Sequence, residues 1–285
     1  MPSSPPNIFR VGVCQLSASD DPQANLPRTE QAIREVAAQG AVAIFTPEVT
    51  NCVSTSKTRQ TEVLQREEDD QTLKALQELA AELKVSINIG SLALKSGDPD
   101  GRFVNRSFFI DAAGQITARY DKMHMFDVTV SEAETYTESK SYRPGSQAVL
   151  VNSVMGDIGL SICYDLRFPH LYRALAQKGA LTLTVPSAFS LVTGTAHWEP
   201  LLRARAIENG AYVIAAAQCG QHILSKGKPR ATYGHSMVVD PWGEALMDLG
   251  PATSVGIADI DLAKVYSVRR RLPSLSHDRD FDFAK

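Results

Sequence analysis

The sequence predicts an α/β fold of layered sheets and helices, and three observations carry that prediction. Strand-like apolar runs alternate with helix-spaced segments along almost the whole chain, the order that layered α/β domains show. One run, Ala41–Thr46, is near-continuously apolar, as strands are when helices cover a face of the sheet. No repeat, linker or low-complexity tract breaks the 285 residues, so one domain over 1–285 is expected, its core within 8–277.

The elements follow in order. Arg10–Leu16 reads as the first strand, and Asn25–Gln39 as a helix with Leu26, Ile33, Val36 and Ala37 on one face and Gly40 as its stop. After the strand Ala41–Thr46, Asp70–Leu83 carries Leu73, Leu76, Leu79, Ala80 and Leu83 at helical spacing. Val85–Leu94 and Phe103–Asp111 read as strands, and Ala112-Ala113-Gly114-Gln115 turns the chain into another that runs toward Lys122. Asp127–Gln147 has no clear period and is rich in Ser, Thr and Glu, which predicts a long functional loop. Then come strand Gly156–Cys163, helix Pro169–Gln177, strand Ala180–Val185 and helix His197–Glu208. Strands Ala211–Ala217, Ser236–Val239 and Ser254–Asp259 complete the reading, with a turn at Asp240-Pro241-Trp242-Gly243.

Charge and composition exclude several classes. The formal net charge is -3 and no basic run exceeds Arg269-Arg270-Arg271, which argues against nucleic acid or an acidic membrane as partner. Apolar runs such as Ala211–Ala217 fall far short of the ~20 residues of a membrane span. Met1–Asn7 is polar and proline-rich, without an apolar signal segment. Cysteines 14, 52, 163 and 219 form no close pair and no metal-type spacing, which suits a reducing compartment. A cytoplasmic protein is expected, with a mitochondrial form possible.

Three residues stand out chemically. Cys163 ends an apolar strand and is followed by Tyr164-Asp165-Leu166-Arg167-Phe168-Pro169, a polar cluster that an interior strand has no ordinary reason to carry. Local amide dipoles and a nearby ammonium there favour thiolate, and the Tyr164 N–H can help hold an oxyanion. Glu48 follows Pro47 after an apolar strand; burial should raise its pKa toward a general base's range. Lys122 can stabilise charge on a carbonyl oxygen. Taken alone, each has a bland alternative: a core thiol, a loop carboxylate, a surface lysine. A dyad of Cys163 with a histidine, best His197 or His235, is a rival arrangement. The six histidines show no zinc spacing.

Thr46-Pro47-Glu48, Tyr120-Asp121-Lys122 and Ile162-Cys163-Tyr164-Asp165-Leu166-Arg167-Phe168-Pro169 occur in the order and spacing of one family. From Val11 to about His277 the chain resembles the nitrilase/carbon–nitrogen hydrolase superfamily. The resemblance implies an α-β-β-α sandwich, commonly paired so that two subunits form a four-layer core. It implies catalysis through a cysteine thioester without any cofactor or metal, on a small-molecule amide. Cys163 would be the nucleophile, Glu48 the proton carrier, and Lys122 with the Tyr164 N–H the oxyanion holders. A supporting glutamate matches Glu138 in Tyr136-Thr137-Glu138-Ser139, with Glu132 and Glu134 as nearby competitors.

Within the superfamily, Thr193-Gly194-Thr195-Ala196-His197-Trp198-Glu199, Ala215-Ala216-Ala217-Gln218-Cys219-Gly220 and Tyr233-Gly234-His235-Ser236-Met237 are similar to the deaminated glutathione amidase branch. The resemblance implies hydrolysis of deaminated glutathione to 2-oxoglutarate and cysteinylglycine. The omega-amidase branch, acting on 2-oxoglutaramate and 2-oxosuccinamate, is the alternative; a catalytically silent interaction protein is the alternative of a different class. An anionic substrate needs cations, for which Arg167 and Arg173 are the candidates. Tyr164, Phe126 and Phe189 are candidate pocket walls, and His197 a residue that shapes the loop behind them. The polar segment 221–230 bears on access or on subunit contact.

Overall fold

The structure is a computed structural model that describes residues 8–131 and 134–284. β1 (Ile8–Gln15) leads into α1 (Pro22–Ala38), which starts before the expected Asn25. The Asp21 carboxylate accepts the Gln23 N–H as its cap, and Pro22 at the first turn has no N–H to leave unpaired. β2 (Ala43–Phe45), a short α2 (Lys57–Val63) and α3 (Gln71–Leu83) follow. β3 (Ser86–Lys95), β4 (Phe103–Ile110) and β5 (Ile116–Asp121) end the first half.

The second half begins with a hairpin, β6 (Asp127–Ser131) and β7 (Glu134–Thr137), and a 3₁₀ turn at Glu138–Lys140. β8 (Leu150–Ser153), β9 (Gly156–Gly159), α4 (Pro169–Gln177) and β10 (Thr182–Thr184) come next. After α5 (Leu191–Asn209) and β11 (Tyr212–Ala215), β12 (Cys219–Gln221) and β13 (Ala231–Tyr233) pair as a small ribbon. β14 (Met237–Val239), β15 (Ala245–Asp248), β16 (Ser254–Asp261) and α6 (Leu262–Arg271) close the fold.

Among the described residues there are two six-stranded sheets, ordered β16-β1-β2-β3-β4-β5 and β15-β14-β11-β10-β9-β8. In each, three neighbouring strands run parallel (β1, β2, β3 and β9, β10, β11) and the flanking ones antiparallel. Alternation along the strands sorts the core into layers. Val11, Val13, Ala43, Phe45, Phe109 and Tyr120 face the second sheet and pack with Ile158, Leu183 and Val213. Ile44, Ile87, Ile89 and Phe108 face the other way, onto Ile33 and Val36 of α1 and Leu73, Leu76 and Leu79 of α3. Helices α4 and α5 cover the second sheet through Leu171, Leu175, Trp198 and Leu202. The architecture is an α-β-β-α sandwich. Gly12 shows how tightly α1 seats: a Cβ there would lie 2.6 Å from Val36 Cγ2.

Several elements differ from the sequence reading for identifiable reasons. The expected strand Gly156–Cys163 pairs only to Gly159, because Asp165 accepts the Ile162 N–H and curls the chain into a 3₁₀ turn at Cys163–Arg167. The helix expected over His197–Glu208 starts instead at Leu191. Gly194 and Pro200 are weak helix formers, but Ser190 caps Thr193 and Gly194 closes onto Tyr233, where a Cβ would meet the ring at 2.4 Å. Asp127–Gln147 is partly ordered as the β6–β7 hairpin rather than wholly loop. The sheets put the ends of β2, β5 and the β9 extension on one side of the sandwich, where α/β proteins place their ligands.

Candidate active site

Glu48 leaves β2 in a turn fixed by β3. Val49 N–H donates to Ser91 Oγ (2.8 Å), Thr50 N–H to Ser91 O (2.9 Å), and Gln218 Nε2 donates to Glu48 O (3.0 Å). Val49 takes φ 47°, unusual for a β-branched residue, so the turn is held by its surroundings rather than by preference. The Glu48 carboxylate is 4% exposed and fully engaged. Oε1 accepts from Lys122 Nζ and Asn105 Nδ2, both at 2.9 Å, and Oε2 from the Ala188 N–H at 2.8 Å.

Lys122 is the residue after β5. Its backbone is pinned to Asn105 O (3.0 Å), and its Nζ sits between Glu48 and Glu138, 2.9 Å from each. Glu138 in turn accepts the Phe126 N–H at 2.6 Å. Of the competing glutamates, Glu134 is bonded to the Tyr136 hydroxyl, and Glu132 lies outside the described residues.

Cys163 opens the 3₁₀ turn with φ 50°, its N–H on Pro186 O at 2.9 Å. Its thiol faces the Glu48 carboxylate. Buried Asp165 sets this turn. It accepts from Ile162 N–H (2.9 Å), Tyr120 OH (2.6 Å), and both the backbone and ring nitrogens of His124 (3.0 and 2.7 Å). As second residue of the turn, Tyr164 has no backbone acceptor for its N–H among the described residues, which leaves that donor free beside the thiol.

The protonation pattern departs from the sequence expectation. Burial acts to raise the Glu48 pKa, but the Lys122 charge and hydrogen bond outweigh it, and Glu48 lies below its ordinary value. Burial, then the facing carboxylate, push the Cys163 thiol well above its ordinary value despite Lys122. Lys122 is held well above its own by Glu138 and Glu48, against burial. The resting site is therefore a neutral thiol beside a carboxylate and an ammonium, not a preformed thiolate. A base is in place to take the thiol proton as attack proceeds.

Glu48, Lys122, Glu138 and Cys163 line one cavity of about 650 Å³, with Tyr164, Phe126 and Phe189. Phe126 lies 5.1 Å from the Tyr164 ring and 5.0 Å from Tyr136. Arg167 stands behind this wall, 5.6 Å from the Phe189 ring, with Nη2 3.3 Å from Nδ1 of exposed His197. Arg173 is a correction: its guanidinium is taken by Asp278 and Ser274 O, away from the cavity, because α4 turns it toward the C-terminal segment. No histidine lines the cavity among the described residues, and His235 is engaged by Asp248. No cluster able to hold a metal occurs among them either. Sequence reasoning missed Asn105, Ala188 and Asp165 as supports, and Arg230 as a lining residue. Asn105 alone had a signal, a lone amide within an apolar strand.

Comparison with known proteins agrees with this geometry. A family model described as "Carbon-nitrogen hydrolase" matches residues 10–270. A Yersinia enterocolitica protein named deaminated glutathione amidase is 36% identical over 270 residues, covering 94% of this chain and 92% of its own. The crystal structure of the C. elegans NitFhit protein superposes with a TM-score of 0.86 at 36% identity, covering 95% of this chain; the chain spans 65% of that protein. An amidase from Nesterenkonia sp. AN1, 26% identical with a TM-score of 0.75 over 92% of this chain and 94% of its own, carries covalent addition of the acetamide moiety of fluoroacetamide at its active-site cysteine.

Proposed function

The chain belongs to the carbon–nitrogen hydrolase family, and from that premise we propose that it cleaves the amide of deaminated glutathione to 2-oxoglutarate and cysteinylglycine. It is a cysteine-dependent amidase of small molecules. The observation that carries the reading is the convergence of Cys163, Glu48 and Lys122 at the floor of one cavity.

In the proposed sequence, Cys163 Sγ bonds to the amide carbon as its proton passes to Glu48. The oxyanion is held by Lys122 Nζ and the Tyr164 N–H. Collapse breaks the C–N bond while Glu48 protonates the departing amine, which leaves as cysteinylglycine. Glu48 then takes a proton from water, the hydroxide cleaves the thioester, and the thiol recovers its proton. Glu138 positions Lys122. Support for these roles is the bonding of both carboxylates to one ammonium and the free Tyr164 amide beside the sulfur.

Side-by-side kcat/KM for deaminated glutathione and 2-oxoglutaramate tests the substrate. Preference for the peptide is expected; a larger value for the short omega-amide would assign the pocket to omega-amidase chemistry instead. We further infer a homodimer, supported by exposed Leu191, Val192 and Ile207 on α5 and by exposed Trp242. Sedimentation should give twice the 31.0 kDa chain mass at micromolar concentration, and a monomer would reject pairing.

A further inference from the structure

We propose that Arg230 is a specificity-determining residue that receives a carboxylate carried by the departing amine. The inference rests on the amide hydrolysis above and adds a substrate class to it: amides whose leaving amine ends in a carboxylate.

Arg230 lines the cavity on the segment between β12 and β13. Its Nη2 donates to Ala188 O at 3.1 Å, and the Ala188 N–H donates to Glu48 Oε2 at 2.8 Å. One residue thus joins the guanidinium to the carboxylate that protonates the leaving nitrogen. The amine departs on the Glu48 side, and Arg230 flanks that side. Arg167 belongs to a different wall, behind Tyr164 and Phe189 on the nucleophile's own turn, which suits the acyl group.

Arg230 has donors to spare. A guanidinium carries five N–H groups in a planar fork that matches a carboxylate. Among the described residues no carboxylate lies within 4.0 Å of it, whereas Arg106, Arg143 and Arg173 are all paired. Its plane is set by the Tyr136 ring, 5.9 Å away, and Glu134 on the same cavity is occupied by the Tyr136 hydroxyl. Lys57 and Lys228 also line the cavity and add positive potential.

The segment that carries Arg230 is anchored at several points. Buried His222 bonds Ala18 O (2.7 Å) and Thr232 Oγ1 (2.8 Å). Asp20 Oδ2 accepts from Ser225 N–H and Oγ (2.8 and 2.7 Å), and Thr55 Oγ1 donates to Lys228 O (2.8 Å). A cation held this way loses little freedom when it binds an anion, so its charge discriminates rather than merely attracts.

The test compares deaminated glutathione with the same compound bearing a carboxamide in place of the glycine carboxylate. The readout is the kcat/KM ratio of acid to carboxamide, which cancels effects shared by both substrates on folding or on Glu48. Wild type is expected to favour the acid by about tenfold or more. Arg230→Gln should bring the ratio close to unity, and Arg230→Lys should keep part of it. A wild-type ratio near unity, or one unchanged in Arg230→Gln, overturns the assignment. Failure of wild type to cleave deaminated glutathione would sink the proposed substrate. The ratio is then read with glutaryl-glycine and glutaryl-glycinamide, where a charge preference lost in Arg230→Gln upholds the inference and no preference, or no cleavage, overturns it.

Discussion

Cys163→Ala should lose at least about 10⁴-fold in kcat on any amide the wild type cleaves, because the step that forms the thioester has no other nucleophile. Stability should shift by less than about 1 kcal/mol, since one small buried atom is removed and the left-handed backbone is unchanged. Cys163→Ser should be similarly inactive: an alkoxide is harder to make than a thiolate, and Lys122 has lowered the basicity of Glu48. Intact mass of the wild type during turnover of a slow substrate should show one acyl adduct, and peptide mapping should place it on Cys163. Cys52 lines the same cavity and is the internal control. Its thiol is pushed up to about 12, first by burial and then by Asp20, and it has no facing base. Wild-type turnover by Cys163→Ala, or an adduct on Cys52, would remove Cys163 from the centre of the mechanism.

Lys122→Met should have the largest effect on stability. It deletes the cation shared by Glu48 and Glu138 and leaves two carboxylates facing each other in a buried site. Breaking such a pair from one side costs about 3–5 kcal/mol, and loss of an oxyanion donor about 10²–10³-fold in kcat. The pH dependence gives the cause. In the wild type the lowered Glu48 pKa contributes stability that is present above the unfolded carboxylate value and lost as pH falls through the folded one. Without Lys122, burial dominates and the Glu48 pKa rises, so the contribution changes sign: the variant is worst near neutrality and recovers on acidification. The gap between the two unfolding curves should therefore narrow as pH falls. A gap that stays constant with pH would mean that Lys122 acts by packing alone. The double variant Lys122→Met with Glu138→Gln should regain part of the loss, because one of the stranded charges is gone.

Much of this protein is determined locally and can be read without coordinates. Leu73, Leu76, Leu79 and Ala80 are buried together in α3 because a 3.6-residue period puts them on one face. Ala43–Phe45 is buried throughout because helices cover one side of its sheet and a second sheet the other. The same kind of signal was present but passed over for α6, where Leu262, Val265 and Val268 recur at helical spacing after the Asp261 cap. Glu48, Lys122 and Cys163 were legible as chemistry because a charge or a thiol at the end of an apolar strand is out of place locally.

What the sequence alone determined was which residues belong to strands and helices, and that an acid, a base and a nucleophile stand at strand ends. Only the tertiary structure decided what those groups are. From composition, burial alone should raise Glu48 and activate Cys163; the opposite holds because Lys122, 74 residues away, comes within 2.9 Å of the carboxylate. The same is true of the substrate contacts. Arg173 follows the nucleophile closely in sequence but is drawn off by Asp278, while Arg230 reaches the site through Ala188, 42 residues distant. Helical and strand periods are set by neighbours within a few residues, so a sequence carries them openly. Coulomb and hydrogen-bond energies depend on separations of a few ångströms between groups that the chain brings together only by folding.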